Sequence, residues 1–238
     1  MTQMPPIAVL AGGLATRLRP LTEKIPKSML EVAGAPFVAH QLGLFRREGI
    51  VRVVFCTGFL GEMLEAFVGD GSRFGLEVSY SRDGDRLLGT GGAIRKALPL
   101  LGHRFMVTYG DSYLDIVYRP VVEAFERAQK PALMTVLRNE GRWDTSNVEF
   151  VDERIVQYSK KATPDMHHID FGLSVLRDDV VGNVPVGEAF DLARVYARLV
   201  ELGEMTGYEV HRRFFEIGSR SGLAETDAYL REQLRRSY

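Results

Sequence analysis

Short apolar runs alternate with amphipathic stretches through the first 138 residues of the chain, and few folds accept that alternation. Ile7–Leu10, 51–57, Arg104–Tyr109 and Ala132–Arg138 read as strands, and the alternating Leu76, Val78 and Tyr80 as a half-exposed one. Residues 37–49, with Val38, Leu42 and Phe45 on one face, read as a helix, as do 60–68, 91–98 and 119–129. Strands separated by helices at this spacing predict an α/β fold: a Rossmann-like, mostly parallel sheet with helices on both faces, whose ligand crevice lies beyond the carboxyl ends of the strands. After Arg138 the pattern changes. Residues 147–150 and 154–159 read as a β-hairpin and 169–176 as a further strand; a helix over 188–202, a strand over 214–217 and a closing helix over 223–235 complete the chain. This second part predicts an appended, more antiparallel lobe that caps a second ligand. The expectation is one domain over 1–238 with two lobes, about 1–138 and about 139–238.

Composition excludes several partners. Lys and Arg total 30 against 31 for Asp and Glu, a formal net charge of -1, so no global field calls for nucleic acid or an anionic membrane. The apolar share of 45% is ordinary for a globular domain, and no apolar run approaches the ~18 residues of a membrane span. No basic, apolar leader is visible, and the single Cys56 forms no internal disulfide, so a cytoplasmic protein is the expectation. Cys56 lies in a strand-like run and reads as a buried, inert thiol.

The first strand runs directly into Gly12-Gly13-Leu14-Ala15-Thr16-Arg17. Glycines let the backbone take positive φ and come close to a ligand, and successive N–H groups in such a turn make an anion-binding concavity. Arg17 adds a planar fork for phosphate oxygens, and Lys27, after Pro26, a compact point charge. Together they describe a polyphosphate cradle. It is neither of the commonest kinds, because the chain has no Gly-Lys pair for a Walker loop and no Gly-x-Gly-x-x-Gly after this strand.

The run Gly12-Gly13-Leu14-Ala15-Thr16-Arg17-Leu18-Arg19-Pro20-Leu21-Thr22, followed by Ile25-Pro26-Lys27-Ser28-Met29-Leu30 and Val32-Ala33-Gly34-Ala35-Pro36, resembles the signature of the sugar-1-phosphate nucleotidylyltransferases. The similarity continues through Leu88-Gly89-Thr90-Gly91-Gly92-Ala93 and Tyr109-Gly110-Asp111, and more weakly through 158–161, 171–172 and 215–219, so it covers nearly the whole chain. The resemblance implies Mg²⁺-dependent transfer of a nucleotidyl group from a nucleoside triphosphate to a sugar 1-phosphate, giving an NDP-sugar and pyrophosphate. The first lobe would then take the nucleotide and the second the sugar phosphate. The segment after Leu88 resembles heptose- and mannose-1-phosphate guanylyltransferases, and 69–76 is similar to N-acetylmuramate-1-phosphate uridylyltransferases; a heptose- or mannose-type sugar with GTP is the pair favoured. Two other readings stay open: cytidylyl transfer to a non-sugar phosphate such as phosphocholine, and a catalytically silent paralogue that holds an NDP-sugar. Oligomers are common in the family, so a homo-oligomer is also open, although the sequence marks no interface.

Carried over residue by residue, the resemblance makes Arg17, Lys27 and Asp111 catalytic. Arg17 would hold the triphosphate and Lys27 bridge the reacting phosphates, while Asp111, at a strand end after a glycine, would hold Mg²⁺, which prefers oxygen ligands. Leu10, Ala11, Gly12, Gly13 and Gly110 would bind the nucleotide, and Gly89, Thr90 and Gly91 would approach its base. Asp83 and Asp85 stand just before them and can accept from a base amino group or form a solvated turn. The second metal carboxylate, usually an aspartate, falls here on Glu216, longer by one methylene. On the sugar side Lys161 would bind the phosphate, and Lys160 stands where a glutamate commonly receives sugar hydroxyls, so that Asp170 or Asn147 would take that contact. Gly172 would let the sugar lie against backbone. His167 and His168, adjacent in a strand, point to opposite faces and make no metal pair; Trp143, Phe214 and Phe215 read as packing.

Overall fold

A computed structural model describes residues 3–236. β1 (Ile7–Leu10) leads through two short 3₁₀ turns to β2 (Glu31–Val32), β3 (Ala35–Pro36) and α1 (Phe37–Arg47). β4 (Arg52–Thr57), α2 (Gly61–Val68), β5 (Glu77–Arg82), α3 (Gly89–Leu101) and β6 (Arg104–Tyr109) continue the alternation, followed by β7 (Ser112–Tyr113), α4 (Arg119–Ala128) and β8 (Ala132–Arg138). The second half holds β9 (Val148–Val151), β10 (Arg154–Tyr158), β11 (His168–Arg177), α5 (Asp179–Gly182), α6 (Leu192–Glu201), β12 (Met205–Val210), β13 (Phe215–Glu216) and α7 (Arg220–Arg236).

Both halves share one nine-stranded sheet. Parallel pairs join β5 to β4, β4 to β1, β1 to β6, and β8 to β12, while β11 runs antiparallel between β6 and β8. The β9–β10 hairpin hooks onto the start of β11 through Val148 and His168. Among the described residues no helix is long and apolar enough to cross a membrane.

The strands read as continuous apolar runs because both faces of the sheet are covered. Ile7 and Val9 join one core with Phe55, Met106 and the α1 residues Val38, Leu42 and Phe45. Ala8, between them, joins the other, with Val54, Phe105, Val107 and the α3 residues Ile94 and Ala97. Alternate residues of each strand thus feed opposite cores, and each fully buried Phe or Leu contributes roughly 1.5–3 kcal/mol.

Several elements differ from the sequence reading, among them β12, α3 and α6. β12 was not expected: Met-Thr-Gly-Tyr-Glu-Val lacks a clear apolar alternation, and Gly207 is there because the Phe150 ring fills the space of a side chain. Its parallel pairing with β8 makes the second half less antiparallel than expected. α3 starts at Gly89 rather than 91, since its glycines, poor helix formers, are fixed by a packed strap rather than by propensity. α6 starts at Leu192 rather than 188, because that strap, residues 187–191, is irregular, with Gly187 in a turn at φ 87° and Asp191 extended.

Candidate active site

Strand register sets Leu10, Cys56 and Tyr109 side by side at the carboxyl ends of β1, β4 and β6. The chain leaves β1 toward β4 on one side and returns to β6 on the other, and at such a switch the loops diverge and leave a crevice. The crevice here has a volume of about 250 Å³, and Leu10, Ala11, Gly12, Gly13, Lys27, Asp83, Gly89, Thr90, Gly110 and Asp111 line it.

The loop after β1 is built differently from the expectation. Neither Gly12 nor Gly13 has positive φ; that conformation falls at Ala15, φ 48°. Gly12 serves close approach instead, since a Cβ on it would lie 3.1 Å from Gly58 N in the loop after β4. Gly110 does the same at the end of β6, where a Cβ would come within 2.9 Å of Ala11 Cβ. The amides of Gly12, Gly13, Leu14 and Ala15 donate to no protein acceptor among the described residues. Unpaired N–H groups on one concave loop form an anion site.

Charge converges beside this loop. Lys27 Nζ lies 2.6 Å from Asp111 Oδ2. The turn carrying Asp111 is pinned by Gln41, 1% exposed, whose Nε2 donates to Tyr109 O at 2.9 Å and Ser112 O at 2.8 Å. Antiparallel pairing of β13 with β7 sets Glu216 opposite Ser112, and Ile217 N donates to Asp111 O at 2.9 Å. A Cβ on Gly218 would lie 2.6 Å from Glu216 Oε2, 3.2 Å from Asp111 Oδ2 and 3.3 Å from Arg17 Nη2, so three charged groups surround one point that only glycine leaves free. Arg17 makes no hydrogen bond or ion pair among the described residues. Glu216 accepts from Gly218 N and from Ser219 Oγ, beneath the first turn of α7.

The opposite wall carries Gly89 and Thr90, but not Gly91. Gly91 N donates to Phe190 O at 2.9 Å, and a Cβ there would overlap the Phe190 ring; one on Gly92 would overlap Glu188 O. The close approach these glycines permit is to the strap. Thr90 Oγ1 donates to Asp191 Oδ1 at 3.0 Å and accepts from Leu192 N at 2.8 Å, and Asp191 caps α6 through Ala193 N at 3.0 Å. Asp83 lines the cleft, but its carboxylate accepts from Leu88 N at 3.0 Å, and burial pushes its pKa up; Asp85 is exposed and outside the lining.

On the sugar side the expected residues divide. Lys160 is ion-paired with Asp191, and Lys161 is exposed, its backbone N–H on Ser159 Oγ at 3.0 Å. Asn147, Asp170 and Gly172 come together: Asn147 Oδ1 accepts from Asp170 N at 2.8 Å, and Asp170 Oδ1 from Gly172 N at 2.9 Å. Burial pushes the Asp170 carboxyl up to about 6 despite the hydrogen bonds it receives from Gly172 and Tyr158. Gly172, φ 94°, lies 3.6 Å by its Cβ direction from the Tyr109 ring, which lines the cleft, so this cluster abuts the cleft through that ring. His168 is buried 3.3 Å from Glu209 while His167 is exposed, on opposite faces as read. Burial pushes the Cys56 thiol up to about 12, which keeps it inert.

Two positioning residues escaped the sequence reading. Gln41 left a signal, a polar residue on the apolar face of α1. Asp191 is an N-cap whose signal was hidden by starting the helix at 188 rather than at Leu192.

Residues 7–146, more than half of the chain, match the family described as nucleotidyl transferase. The chain is 40% identical over 109 residues to the N-acetylmuramate alpha-1-phosphate uridylyltransferase of Neisseria meningitidis serogroup B, an alignment covering 45% of this chain and 47% of that one. It is 28% identical to the enzyme of the same name from Caulobacter vibrioides, covering 98% and 100%. It spans about half the length of the first curated relatives it matches, 47%, 55% and 56%. HddC from Yersinia pseudotuberculosis superimposes with a TM-score of 0.81 at 19% identity, covering 95% of this chain and 100% of that one, a likeness of fold. With its crevice, fold and motifs in agreement, the chain belongs to the nucleotidyl transferase family, that of the sugar-1-phosphate nucleotidylyltransferases with the nucleotide-diphospho-sugar transferase fold.

Proposed function

We propose that the chain transfers a nucleotidyl group from a nucleoside triphosphate to a sugar 1-phosphate, forming an NDP-sugar and releasing pyrophosphate. The observation that carries this reading is the cluster at one end of the cleft: the Gly12–Ala15 amides and the Arg17 side chain, which pair with no group among the described residues, beside the Lys27–Asp111 pair. A phosphate monoester has its second pKa near ~6, so the attacking oxygen is already anionic at neutral pH and needs no general base. The chain's work is to hold two anions in line and offset the charge between them. The loop amides and Arg17 bind the triphosphate, and Lys27 contacts the reacting phosphates from its place beside Asp111.

Asp111 and Glu216 would hold a divalent metal, Mg²⁺ in the first instance. The donors fit it: two carboxylates face one point, Lys27 Nζ already occupies a cation's place at Asp111, and Mg²⁺ takes one or two carboxylates with phosphates and water completing its shell. Bound there, the metal supplies charge neutralisation at the phosphates. Arg17 and Lys27 orient the same oxygens from the protein side.

Asn147, Asp170 and Gly172 would face the sugar. The relatives from Neisseria and Caulobacter put UTP with N-acetylmuramate 1-phosphate first among pairs to test, ahead of the GTP and heptose or mannose pairs that the motif favoured. The test is pyrophosphate release with Mg²⁺, crossing the four common nucleoside triphosphates with N-acetylmuramate, heptose, mannose and glucose 1-phosphates and phosphocholine. Release that requires one triphosphate and one sugar phosphate supports the reading; release with phosphocholine alone, or with no pair, overturns it.

A further inference from the structure

Glu216 belongs to β13, a strand of two residues, which is too short to hold a carboxylate in place by its ladder alone. The three residues before and beside it supply the hold, and each rests on a different element. The Phe214 ring meets Phe171 edge to face with centroids 6.1 Å apart, and Phe171 stands in β11 between Asp170 and Gly172. The Phe215 ring stacks on Tyr229 of α7 at 3.9 Å. Arg213 reaches furthest. Its Cζ lies 4.8 Å from the centre of the Phe215 ring and 5.7 Å from that of Trp143, while Nη2 donates to Glu225 Oε2 of α7 at 2.6 Å and Nε to Phe214 O at 3.2 Å.

Trp143 is itself held. It sits in the loop between β8 and β9, which the fully buried Asn139 closes by donating to Asp144 O at 2.5 Å and Ser146 Oγ at 3.0 Å and by accepting from Trp143 N at 3.2 Å. The loop runs into Asn147, whose Oδ1 accepts from Asp170 N. One guanidinium thus lies against the ring of the sugar-side loop and against the ring next to Glu216. We infer that Arg213 is a positioning residue for the metal carboxylate: anchored on Trp143, Phe215 and Glu225, it fixes β13 so that Glu216 faces Asp111 across Gly218. This rests on the metal site proposed above and goes beyond it, since it makes the sugar-side loop part of what holds the metal. A cation within about 6 Å of an aromatic face is attracted to it, modestly where water reaches the pair. Arg213 is 35% exposed, so its loss weakens metal binding several-fold and does not abolish it.

The experiment measures Mn²⁺ binding to the nucleotide-free full chain by loss of the free ion's paramagnetic signal, with circular dichroism to check the fold; Mn²⁺ takes the same octahedral oxygen sites as Mg²⁺. Arg213→Met and Trp143→Leu should each weaken Mn²⁺ by about threefold to fivefold, although neither residue is a ligand. Arg213→Lys and Trp143→Phe, which keep a cation and an aromatic face, should stay within about twofold of wild type. In a Glu216→Gln background Arg213→Met should have no further effect, because the group it positions is gone. Trp143→Leu, on the other loop, carries the same expectation where Arg213→Met does not fold. The assignment is overturned if Arg213→Met and Trp143→Leu bind Mn²⁺ as wild type does while Glu216→Gln binds it more weakly. An equal loss with and without Glu216 overturns it too, since that marks a general loosening of the chain. Failure of the metal reading looks different: wild type and Glu216→Gln then bind Mn²⁺ alike, which removes the carboxylate that Arg213 is assigned to position.

Discussion

Asp115, in the loop after β7, is 7% exposed and ties that loop to three other segments. Its carboxylate accepts from Arg47 of α1, from Arg212 of the β12–β13 connection at 3.3 Å, and from the Tyr229 hydroxyl of α7. Burial by itself raises its pKa, but the Tyr229 hydroxyl and the Arg47 and Arg212 guanidinium groups outweigh burial and lower it. Asp115→Ala removes one hydrogen bond to a charged acceptor, about 1.5–3 kcal/mol. It also removes two ion pairs whose arginines are 54% and 67% exposed, each about 0.2–1 kcal/mol. Relief of carboxylate burial offsets part of this, and a net loss of about 2–4 kcal/mol remains. At about 2–4 °C per kcal/mol for a chain of this size, Tm at pH 7 falls by roughly 5–10 °C. Because the folded pKa is depressed, the contribution is present above the unfolded pKa of about 3.9 and disappears as pH falls through the folded value. Calorimetric melts from pH 7 downward therefore show the two proteins converging at acid pH. A Tm within about 1 °C of wild type at pH 7, or a gap that persists in acid, refutes the reasoning.

Gly13 and Gly91 separate a ligand role from a packing role: a Cβ on Gly13 meets nothing within 4 Å, so Gly13→Ala keeps wild-type Tm and loses triphosphate affinity several-fold, whereas Gly91→Ala strikes the Phe190 ring and costs about 1–3 kcal/mol in melts. Asp170, raised to about 6, binds a proton in the folded state that the unfolded chain lacks between about pH 4 and 6. Wild type thus gains stability relative to Asp170→Asn as pH falls through that window, and denaturant midpoints at stepped pH read the effect. Cys56, buried and raised to about 12, stays unmodified by iodoacetamide at pH 8 until the chain unfolds, as mass spectrometry would record.

The alternation up to Arg138 was readable because a strand buried on both faces leaves a dense apolar run; Arg104–Tyr109 and Ala132–Arg138 coincide with their predicted bounds. β12 was not, since an edge strand with one glycine under Phe150 owes its conformation to partners distant in sequence. The charged cluster was legible as residue types, Arg17, Lys27 and Asp111, because a cradle needs cations and a carboxylate near a glycine loop. How they meet was not legible. Gln41 holds the Asp111 turn across 68 residues, and β13 brings Glu216 to Ser112 by a two-residue pairing with little sequence signature. The Gly89–Gly92 run shows the limit of reading glycine: the sequence reading set its close approach against the base, whereas at Gly89, Gly91 and Gly92 the group a Cβ would strike is the 187–191 strap.

The central claim is that Lys27 and Asp111 offset charge on the reacting phosphates, and steady-state pyrophosphate release by Lys27→Ala, beside wild type and Asp111→Asn, tests it most directly. Each substitution should lower kcat by about 10²–10³ while the melting curve and far-ultraviolet spectrum stay those of the folded chain. A folded Lys27→Ala protein turning over within a few-fold of wild type would contradict the account.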